Sequence, residues 1–316
     1  MSKKVLIVDQ IHPKLTNDLT QTGFTCEINQ RLTYEEYLSL QDEYEGLIIR
    51  SRFQIDQQAI DSKSQLKWIV RIGSGTENID VAYAKQRGID CISTPEGNAQ
   101  SVAEHCLAML LSVVRNITTS TQEIKSGLWE REKNKGLEIS DRTIGIIGYG
   151  HTGKAFARLL QHFDCKIYIY DKYYNGFEDE YVEETSLQNL LAKSDVISMH
   201  INYEKDNHHF FNKKLIEYVE KPFIFINTSR GLAVNTFDII EALQQGKIQY
   251  ACLDVLEYEN VQLQIPPKTA WSKDLKTLVK MPNVMLTPHT AGQTVTAEKR
   301  HAEVAFEKIC QLTKEG

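Results

Sequence analysis

The chain has 316 residues, of which 41% are apolar and 25% are charged, and its formal net charge at pH 7 is −6. This balance is typical of a folded, water-soluble protein of two domains. The negative net charge and the lack of a basic tract disfavour a nucleic-acid or membrane-surface partner. No run of 18 apolar residues occurs, and the first ten residues lack a signal-peptide core. We therefore expect a cytoplasmic protein without a membrane span, in which most of the six scattered cysteines are small core residues.

The first third of the chain alternates apolar runs with helical patterns. Strands are predicted at residues 5–8, 47–49, 66–70 and 91–92. Pro13 opens one helix, and Thr33 opens another in a capping box with Glu36. This alternation predicts an α/β fold, in which helices cover both faces of a parallel sheet.

Three arginines follow the carboxyl ends of two of these predicted strands, namely Arg50, Arg52 and Arg71. Ligands of open parallel sheets bind beyond those ends. Three guanidinium groups there favour an anion-binding site, and solvated surface arginines are the alternative.

The middle of the chain begins with a linker pattern at residues 94–98, followed by a long helix predicted over residues 101–119. The apolar surface of this helix is broad, which predicts burial on more than one side, with a subunit interface as one source. An amphipathic stretch follows at residues 125–131.

A glycine-rich unit is predicted to bind a dinucleotide. A strand at residues 144–147 leads into Gly148, Gly150 and Gly153 in GxGxxG spacing, then a helix, a second strand and Asp171. The glycines allow a tight turn, close approach of a pyrophosphate and close packing of the helix, whose N-terminus attracts phosphate. Asp171, at the expected distance from the loop, can bind the ribose hydroxyls and repel a 2′-phosphate. The unit therefore predicts NAD rather than NADP, although Lys172 softens that preference.

Polar residues recur at strand ends in the last third of the chain. Predicted strands at residues 196–199, 223–226, 250–253 and 284–286 are followed by His200, the sequence NTSRG at 227–231, Asp254 and the sequence TPH at 287–289. Because the carboxyl ends of parallel strands share one edge, these residues are expected where the dinucleotide binds.

Four separated segments carry a resemblance to a known family. They are residues 144–171, NTSRG at 227–231, LDVLEYE at 253–259 and TPHTAG at 287–292. Together they resemble the D-isomer-specific 2-hydroxyacid dehydrogenases. The resemblance implies two doubly wound parallel-sheet domains, a flavodoxin-like catalytic domain and a Rossmann NAD-binding domain. The first would comprise residues 1–98 plus 287–316 and the second residues 99–286, around a cleft that closes over substrate.

The resemblance also implies a catalytic set of Arg230, Glu259 and His289. Arg230 would bind the substrate carboxylate, and His289 would exchange the proton of the C2 hydroxyl. Glu259 would orient His289 and stabilise its imidazolium. The family usually has proline after this acid, whereas this chain has Asn260, so Glu257 is the rival partner. A surface arginine and a capped core histidine are the structural alternatives.

A further set of residues is implied to hold NAD. The glycine loop, with His151 and Thr152, would contact the pyrophosphate, and Asp171 the ribose. The nicotinamide half would lie against Ile201, Thr228, Ser229 and Asp254. The complete expected set is Gly148, Gly150, His151, Thr152, Gly153, Asp171, Ile201, Thr228, Ser229 and Asp254. This chemistry needs no metal, and the remaining histidines show no metal-ligand spacing.

Other stretches are similar to the phosphoglycerate dehydrogenases, namely residues 49–52, 71–80, 94–98 and 127–131. The similarity implies 3-phosphoglycerate as substrate, oxidised to 3-phosphohydroxypyruvate in the first step of serine synthesis. The expected substrate-binding residues are Arg50, Ser51, Arg71, Ser74, Gly75 and Arg131. Arg131 would come from the partner of a homodimer formed through the nucleotide-binding domain. We expect a short form without a C-terminal regulatory domain, and hence little feedback inhibition by serine.

Two other functions stay open at this point. One is the reduction of glyoxylate, hydroxypyruvate or another 2-keto acid, because the fold and catalytic set would serve these substrates equally. The other is an NAD(H)-sensing, corepressor-like protein, which can retain the same three catalytic residues.

Overall fold

The computed structural model describes residues 3–41, 43–177, 179–260 and 262–315. Met1, Ser2 and Gly316 of the first predicted domain lie outside these residues. Contacts divide the chain into two compact units. The first unit contains Met1–Ala99, Asn260–Gln264 and Gly292–Gly316, and the second contains Gln100–Glu259 and Ile265–Ala291. Within the described ranges, no helix is both long and apolar enough to cross a membrane.

The first unit is built on five parallel strands in the order β2-β1-β3-β4-β5. This order is that of flavodoxin-like sheets. The strands are β1 (Lys3–Ile7), β2 (Phe24–Ile28), β3 (Gly46–Ile49), β4 (Trp68–Arg71) and β5 (Asp90–Ser93). The helices of this unit are α1 (Pro13–Gln21), α2 (Tyr34–Ser39), α3 (Gln57–Asp61), α4 (Val81–Gln86) and α12 (Val295–Glu315).

Both faces of this first sheet are buried. Successive residues of a strand point to opposite faces: Leu6 and Leu47 pack in one core, whereas Ile7 packs with Leu15 of α1 and Ile309 of α12 in another. Continuous apolar runs are therefore required in these strands. The predicted capping box at the start of α2 is confirmed, because the Thr33 side chain and the Glu36 carboxylate cap each other's backbone N–H groups.

The second unit contains a parallel sheet of seven strands in the order β12-β11-β10-β9-β6-β7-β8. The direction of winding reverses between β6 and β9, which is the switch point where ligands bind in such sheets. The strands are β6 (Thr143–Ile147), β7 (Lys166–Tyr170), β8 (Glu183–Glu184), β9 (Val196–Met199), β10 (Phe223–Asn227), β11 (Ile248–Leu253) and β12 (Val284–Leu286). The helices are α5 (Ala99–Val114), α6 (Ile117–Lys125), α7 (His151–Leu160), α8 (Leu187–Lys193), α9 (Lys213–Glu217), α10 (Thr236–Gln244) and α11 (Lys273–Leu278).

The long helix predicted over residues 101–119 is in fact two helices, α5 and α6. The break lies at Asn116, whose φ of 54° is in the left-handed region. Asparagine tolerates that conformation better than most residues, and no glycine or proline marks the position. The predicted linker at residues 94–98 contains a short 3-10 turn, Pro95–Gly97. The α/β fold of two parallel sheets is otherwise as predicted.

Candidate active site

The glycine loop joins β6 to α7 with no space for side chains at two of its glycines. Gly148 has a φ of +93°, and a Cβ there would lie 2.6 Å from the His200 carbonyl oxygen. A Cβ at Gly153 would overlap the carbonyl oxygen of Gly148. At Gly150 the surrounding space is open, and no side chain caps the N-terminus of α7 there. The backbone N–H groups of that first turn suit a pyrophosphate.

Asp171 follows β7 and connects two loops at the same sheet edge. Its Oδ2 accepts a hydrogen bond from the Tyr149 N–H at 2.8 Å, and its Oδ1 accepts from the N–H groups of Tyr173 and Tyr174 at 2.9 and 3.2 Å. A carboxylate offers about four acceptor positions. Asp171 can therefore still accept from a ribose hydroxyl while holding the loops in place, and the site fits the adenosine half of NAD.

His289 and Glu259 are in direct contact within the second unit. The Nδ1 atom of His289 lies 2.6 Å from Oε2 of Glu259, and both side chains are mostly buried. The other carboxylate oxygen of Glu259 accepts a hydrogen bond from the Leu256 N–H at 2.5 Å. Both oxygens are thus engaged, and the carboxylate fixes the orientation of the imidazole.

Asp254, at the end of β11, holds the loop that carries His289. Its buried carboxylate accepts hydrogen bonds from the N–H groups of Thr290 and Ala291, each at 2.9 Å, and from the Thr287 hydroxyl at 2.6 Å. Its carbonyl oxygen accepts from the His289 N–H at 2.8 Å. These bonds stabilise the left-handed backbone of His289, whose φ is 54°.

Arg230 follows β10, the strand next to β11. Its Nη1 donates a hydrogen bond to the Ser229 carbonyl oxygen at 2.8 Å. A Cβ at Gly231 would overlap the Leu256 carbonyl group, so this glycine lets the loops after β10 and β11 pack backbone against backbone. Arg230, Glu259 and His289 therefore follow three neighbouring strands, β10, β11 and β12.

Glu257, the other acid that the sequence left open, faces a different histidine. Its Oε2 lies 3.1 Å from Nε2 of His209 and accepts a weak hydrogen bond from the Thr236 N–H at 3.4 Å. In this structure Glu259 is therefore the glutamate in contact with His289.

The residues expected around the nicotinamide half also lie at the strand ends. Thr228 and Ser229 are buried, and Asn227 Oδ1 accepts hydrogen bonds from the Ser229 N–H at 3.0 Å and hydroxyl at 2.7 Å. Ile201 is half-buried, whereas His151 is exposed at the start of α7.

In the first unit, Asp9 organises the loop after β3. Its Oδ2 accepts hydrogen bonds from the N–H groups of Arg50, Ser51 and Arg52 at 2.6, 3.1 and 3.2 Å. The Nε of Arg52 donates to the Val8 carbonyl oxygen at 3.1 Å and lies 3.5 Å from Asp9 Oδ1. Of the three arginines expected to form an anion site, Arg52 therefore already has a carboxylate partner, Asp9, within its own unit.

The loop after β4 carries the remaining expected substrate residues of the first unit. Gly73, at a φ of +140°, leaves room for the guanidinium of Arg71, and its N–H donates to the Thr94 hydroxyl at 2.9 Å. The Ser74 hydroxyl donates to Asn98 Oδ1 at 2.8 Å, and Gly75 beside it is half-buried.

His301 of α12 is buried beneath that loop, and its Nδ1 lies 2.7 Å from Thr94 Oγ1. Burial, together with the nearby guanidinium groups of Arg50 and Arg71, lowers the pKa of His301 to about 4. Sequence reasoning assigned no role to His301, because only the fold places α12 beside β5.

Arg131 lies on an exposed loop of the second unit. This loop is held by Glu123, whose carboxylate accepts hydrogen bonds from Lys133 Nζ and Asn134 Nδ2, both at 2.5 Å. The neighbouring Trp129 side chain is 76% exposed. The sequence prediction that a partner subunit uses this region stays a prediction.

Comparison with known proteins decides the family. The model of the D-isomer specific 2-hydroxyacid dehydrogenase NAD binding domain matches residues 107–291, more than half of the chain. This chain belongs to that dehydrogenase family. The predicted family and the predicted NAD cofactor are thereby confirmed, and the glycine loop and Asp171 lie within the residues that match the NAD-binding domain of that family.

Individual relatives show the range within the family. The chain is 32% identical to D-3-phosphoglycerate dehydrogenase of Archaeoglobus fulgidus over 313 residues, which cover 98% of this chain and 57% of that relative. It therefore spans little more than half the length of that relative. It is 33% identical to hydroxypyruvate reductase of Thermotoga maritima over 281 residues, 89% of each chain. Among solved structures, D-lactate dehydrogenase of Aquifex aeolicus, complexed with NAD and lactic acid, is 25% identical with a TM-score of 0.82, covering 99% and 96% of the two chains.

Sequence reasoning missed two residues that hold loops of this chain, Asp9 and Asn78, and the loop-holding role of a third, Asp254. Asp9 holds the arginine loop, and Asn78 donates from Nδ2 to the carbonyl oxygens of Arg50 and Phe53 at 3.3 and 3.4 Å. Asp254 was expected only beside nicotinamide, yet its carboxylate caps the loop of His289. An acid directly after an apolar strand was the available signal at residues 9 and 254.

Proposed function

We propose that this chain is an NAD-dependent dehydrogenase of D-2-hydroxy acids that interconverts 3-phosphoglycerate and 3-phosphohydroxypyruvate. The contact between His289 and Glu259 carries the proposal. A mostly buried imidazole that lies 2.6 Å from a carboxylate is held in one orientation and can accept and return a proton. Its loop is fixed independently by Asp254.

The proposed chemistry divides between residues at three strand ends. The Nδ1–H of His289 donates to Glu259, which leaves Nε2 to accept the proton of the substrate C2 hydroxyl. Arg230 binds the substrate carboxylate, for which its planar fork is better suited than an ammonium group. NAD, when bound, accepts the hydride from C2, and the protein positions the reacting groups.

Cofactor contacts are assigned in the same way. We assign the glycine loop, His151 and Thr152 to the pyrophosphate and Asp171 to the adenosine ribose. The nicotinamide half is assigned to Ile201, Thr228, Ser229 and Asp254. The open space at Gly150 and the uncapped start of α7 support the pyrophosphate assignment.

The phosphate of the substrate is assigned to Arg50 and Arg71 of the first unit, with Ser51, Ser74 and Gly75 in the same loops. Arg131 is assigned to the same role from a partner subunit. Similarity to the phosphoglycerate dehydrogenase of Archaeoglobus fulgidus over 98% of this chain supports this choice. Guanidinium groups bind phosphate through charge-assisted hydrogen bonds that a neutral substituent cannot replace.

We further propose that residues 99–286 form the NAD-binding domain, through which two copies of the chain form a homodimer. Residues 1–98 with 287–316 would form the substrate domain. The 76% exposed Trp129 supports the dimer, because a large aromatic side chain is costly to leave in water.

Reduction of hydroxypyruvate is the second candidate function. The similarity to the reductase of Thermotoga maritima covers 89% of both chains and favours this alternative. This support does not depend on the arginines assigned to the substrate phosphate. The two candidates differ in whether the enzyme prefers the phosphorylated acid.

Steady-state kinetics with NADH separate these candidates. We expect a higher kcat/KM for 3-phosphohydroxypyruvate than for hydroxypyruvate, glyoxylate or pyruvate. Arg71→Ala should lower kcat/KM for the phosphorylated acid by about 10- to 150-fold, the value of a lost charge-assisted hydrogen bond of about 1.5–3 kcal/mol, and affect hydroxypyruvate much less. Arg87→Ala is the control, because Arg87 is exposed and paired with Asp61. Equal kcat/KM values for the phosphorylated and unphosphorylated acids would exclude the proposed substrate.

A further inference from the structure

Helix α12 is connected to the loop after β4 by a short column of hydrogen bonds in the first unit. The Gly73 N–H donates to Thr94 Oγ1 at 2.9 Å, and the same oxygen lies 2.7 Å from Nδ1 of His301. The Thr94 and His301 side chains are both buried. The column therefore ties the Gly73 loop to a helical residue that follows Thr94 by 207 positions in the chain.

Backbone packing holds both ends of this column. At one end, the Thr94 N–H donates to the Gly73 carbonyl oxygen at 2.8 Å, so the two residues exchange two hydrogen bonds. At the other end, α12 packs on the 3-10 turn, where a Cβ at Gly97 would overlap Nδ1 of His301 and lie 2.9 Å from its Cα. The missing side chain at Gly97 is what lets the imidazole approach Thr94.

The Arg71 guanidinium packs against the glycine of this column. A Cβ at Gly73 would overlap Nη1 of Arg71, so the guanidinium occupies the space beside that glycine. Because Gly73 also donates to Thr94, His301 is two hydrogen bonds away from the residue that accommodates the guanidinium. An anion bound by Arg71 therefore lies close to a buried imidazole.

The charged groups that act on His301 give it a net positive environment. Arg50 after β3 and Arg71 of β4 repel its proton, and Glu96 of the 3-10 turn attracts it. Glu96 is already paired with Lys308 of α12, whose Nζ lies 2.8 Å from Oε1. Burial and the two guanidinium groups therefore keep the pKa of His301 low, at about 4.

Helix α1, which also packs against α12, adds little to this charge balance. Its buried residues Leu15 and Leu19 share an apolar core with Ala302 of α12. Its charged residues Lys14 and Asp18 pair with each other at 3.0 Å. The two arginines thus remain the main source of positive charge beside the imidazole.

The contact between His301 and Thr94 fits both protonation states of the imidazole. The Thr94 oxygen accepts the Gly73 N–H, so its own hydrogen can be donated to Nδ1 of the neutral ring. A protonated ring would instead donate from Nδ1 to the second lone pair of the same oxygen. Protonation is therefore opposed by the nearby positive charge and not by the hydrogen bond, and an anion beside Arg71 removes that opposition.

We propose that His301 is a positioning residue for the substrate phosphate, which anchors the Arg71 loop through Thr94 and takes up a proton from solvent when the phosphate binds. This inference rests on the proposed function, which assigns the phosphate to Arg50 and Arg71. By linkage, the anion and the proton strengthen each other's binding by the same factor. A substrate without the phosphate gains nothing from this proton.

Sulfate is the probe for the proton, because it has the charge and shape of a phosphate but does not titrate near pH 5. In protein labelled with ¹³C at histidine Cε1, the His301 signal is identified by its absence from His301→Gln. Its titration curve, followed from about pH 7 down to the onset of unfolding, should move upward by about 1 pH unit in saturating sulfate. His12, which caps α1 by accepting from the Lys14 N–H, is the internal control and should move by less than about 0.3 pH unit.

Thr94→Val tests the anchor separately, because it removes the acceptor of the Gly73 N–H and the partner of His301. The KM for 3-phosphohydroxypyruvate at pH 7 should rise about fivefold or more, the effect of one buried N–H without an acceptor. The kcat, and the KM for hydroxypyruvate, should change by less than about twofold. Thr94→Ser, which keeps the hydroxyl, should restore the KM. An equal rise in KM for both acids would contradict the anchoring role.

Inhibition by sulfate separates this inference from the proposed function. Sulfate should compete with 3-phosphohydroxypyruvate in the wild-type enzyme, and Arg71→Ala should raise its inhibition constant by about tenfold or more. If sulfate competes in this way while the His301 titration stays unchanged, the proton uptake is wrong and the phosphate site stands. If sulfate does not compete, or Arg71→Ala leaves its inhibition constant unchanged, the proposed phosphate site and this inference fail together.

Discussion

Replacing Glu259 by glutamine should slow catalysis because the new side chain cannot serve both partners of the carboxylate. Oε1 of Glu259 accepts from the Leu256 N–H, and Oε2 contacts Nδ1 of His289. A glutamine has one acceptor oxygen and one NH₂ donor. Either the Leu256 N–H or the His289 Nδ1–H must therefore lose its acceptor.

The size of the effect follows from the burial of this pair. The Glu259 and His289 side chains are 13% and 22% exposed, so water screens their contact little. A hydrogen bond to a charged group of this kind contributes about 1.5–3 kcal/mol. If the bond is needed when His289 carries the proton, kcat should fall by about 10- to 150-fold. The KM of NADH should change little, because the glycine loop and Asp171 are untouched.

Glu257→Gln is the matched control for this experiment. Glu257 lies two residues earlier and contacts His209 instead of His289, so its kcat should stay within about threefold of wild type. Initial rates of NADH oxidation with 3-phosphohydroxypyruvate, measured from pH 6 to 9 for all three proteins, give the comparison. The assigned role of Glu259 would be wrong if Glu259→Gln kept more than half of the wild-type kcat. It would also be wrong if Glu257→Gln lowered kcat by a larger factor than Glu259→Gln.

Three further outcomes are expected. Asp171→Asn should reduce the preference for NADH over NADPH, as a ratio of kcat/KM, by about tenfold, because one repulsive charge near a 2′-phosphate is removed; an unchanged ratio would contradict this. Gly153→Ala should lower the free energy of unfolding by about 1–3 kcal/mol, because its Cβ overlaps a backbone carbonyl, whereas Gly150→Ala should keep its stability and lose NADH affinity. Between pH 6.5 and 4, the unfolded chain protonates His301 and the folded chain does not. As the pH is lowered through this range, the free energy of unfolding should therefore decrease by about 1.4 kcal/mol per pH unit because of this group. In urea titrations, His301→Gln should remove that part of the slope, and identical slopes would refute it.

Features determined by neighbouring residues were accessible from the sequence. The GxGxxG loop, the capping box at Thr33 and the strands that end in polar residues each depend on a few consecutive positions. The alternation of strands and helices was enough to predict two parallel sheets, because short crossover connections allow few other arrangements. The order of the segments then carried the family resemblance.

Features that depend on one backbone angle or on a distant segment were not accessible. The break between α5 and α6 requires a left-handed backbone at Asn116, a conformation that asparagine adopts only in certain contexts. The burial of His301, whose ring contacts the Thr94 hydroxyl, depends on where α12 packs. Neither position carries a local signal that separates it from an ordinary helical or surface residue.

The choice between Glu257 and Glu259 shows where local information ends. The two acids lie on the same short segment after β11, and nothing in their immediate sequence decides which one meets a histidine 30 residues away. The backbone decides it. Gly231 lets the loop after β10 pack against the Leu256 carbonyl group, and Asp254 holds His289 in a left-handed conformation. With both loops fixed, Glu259 contacts His289 and Glu257 contacts His209, so the candidate catalytic pair depends on a glycine and an aspartate that take no part in proton transfer.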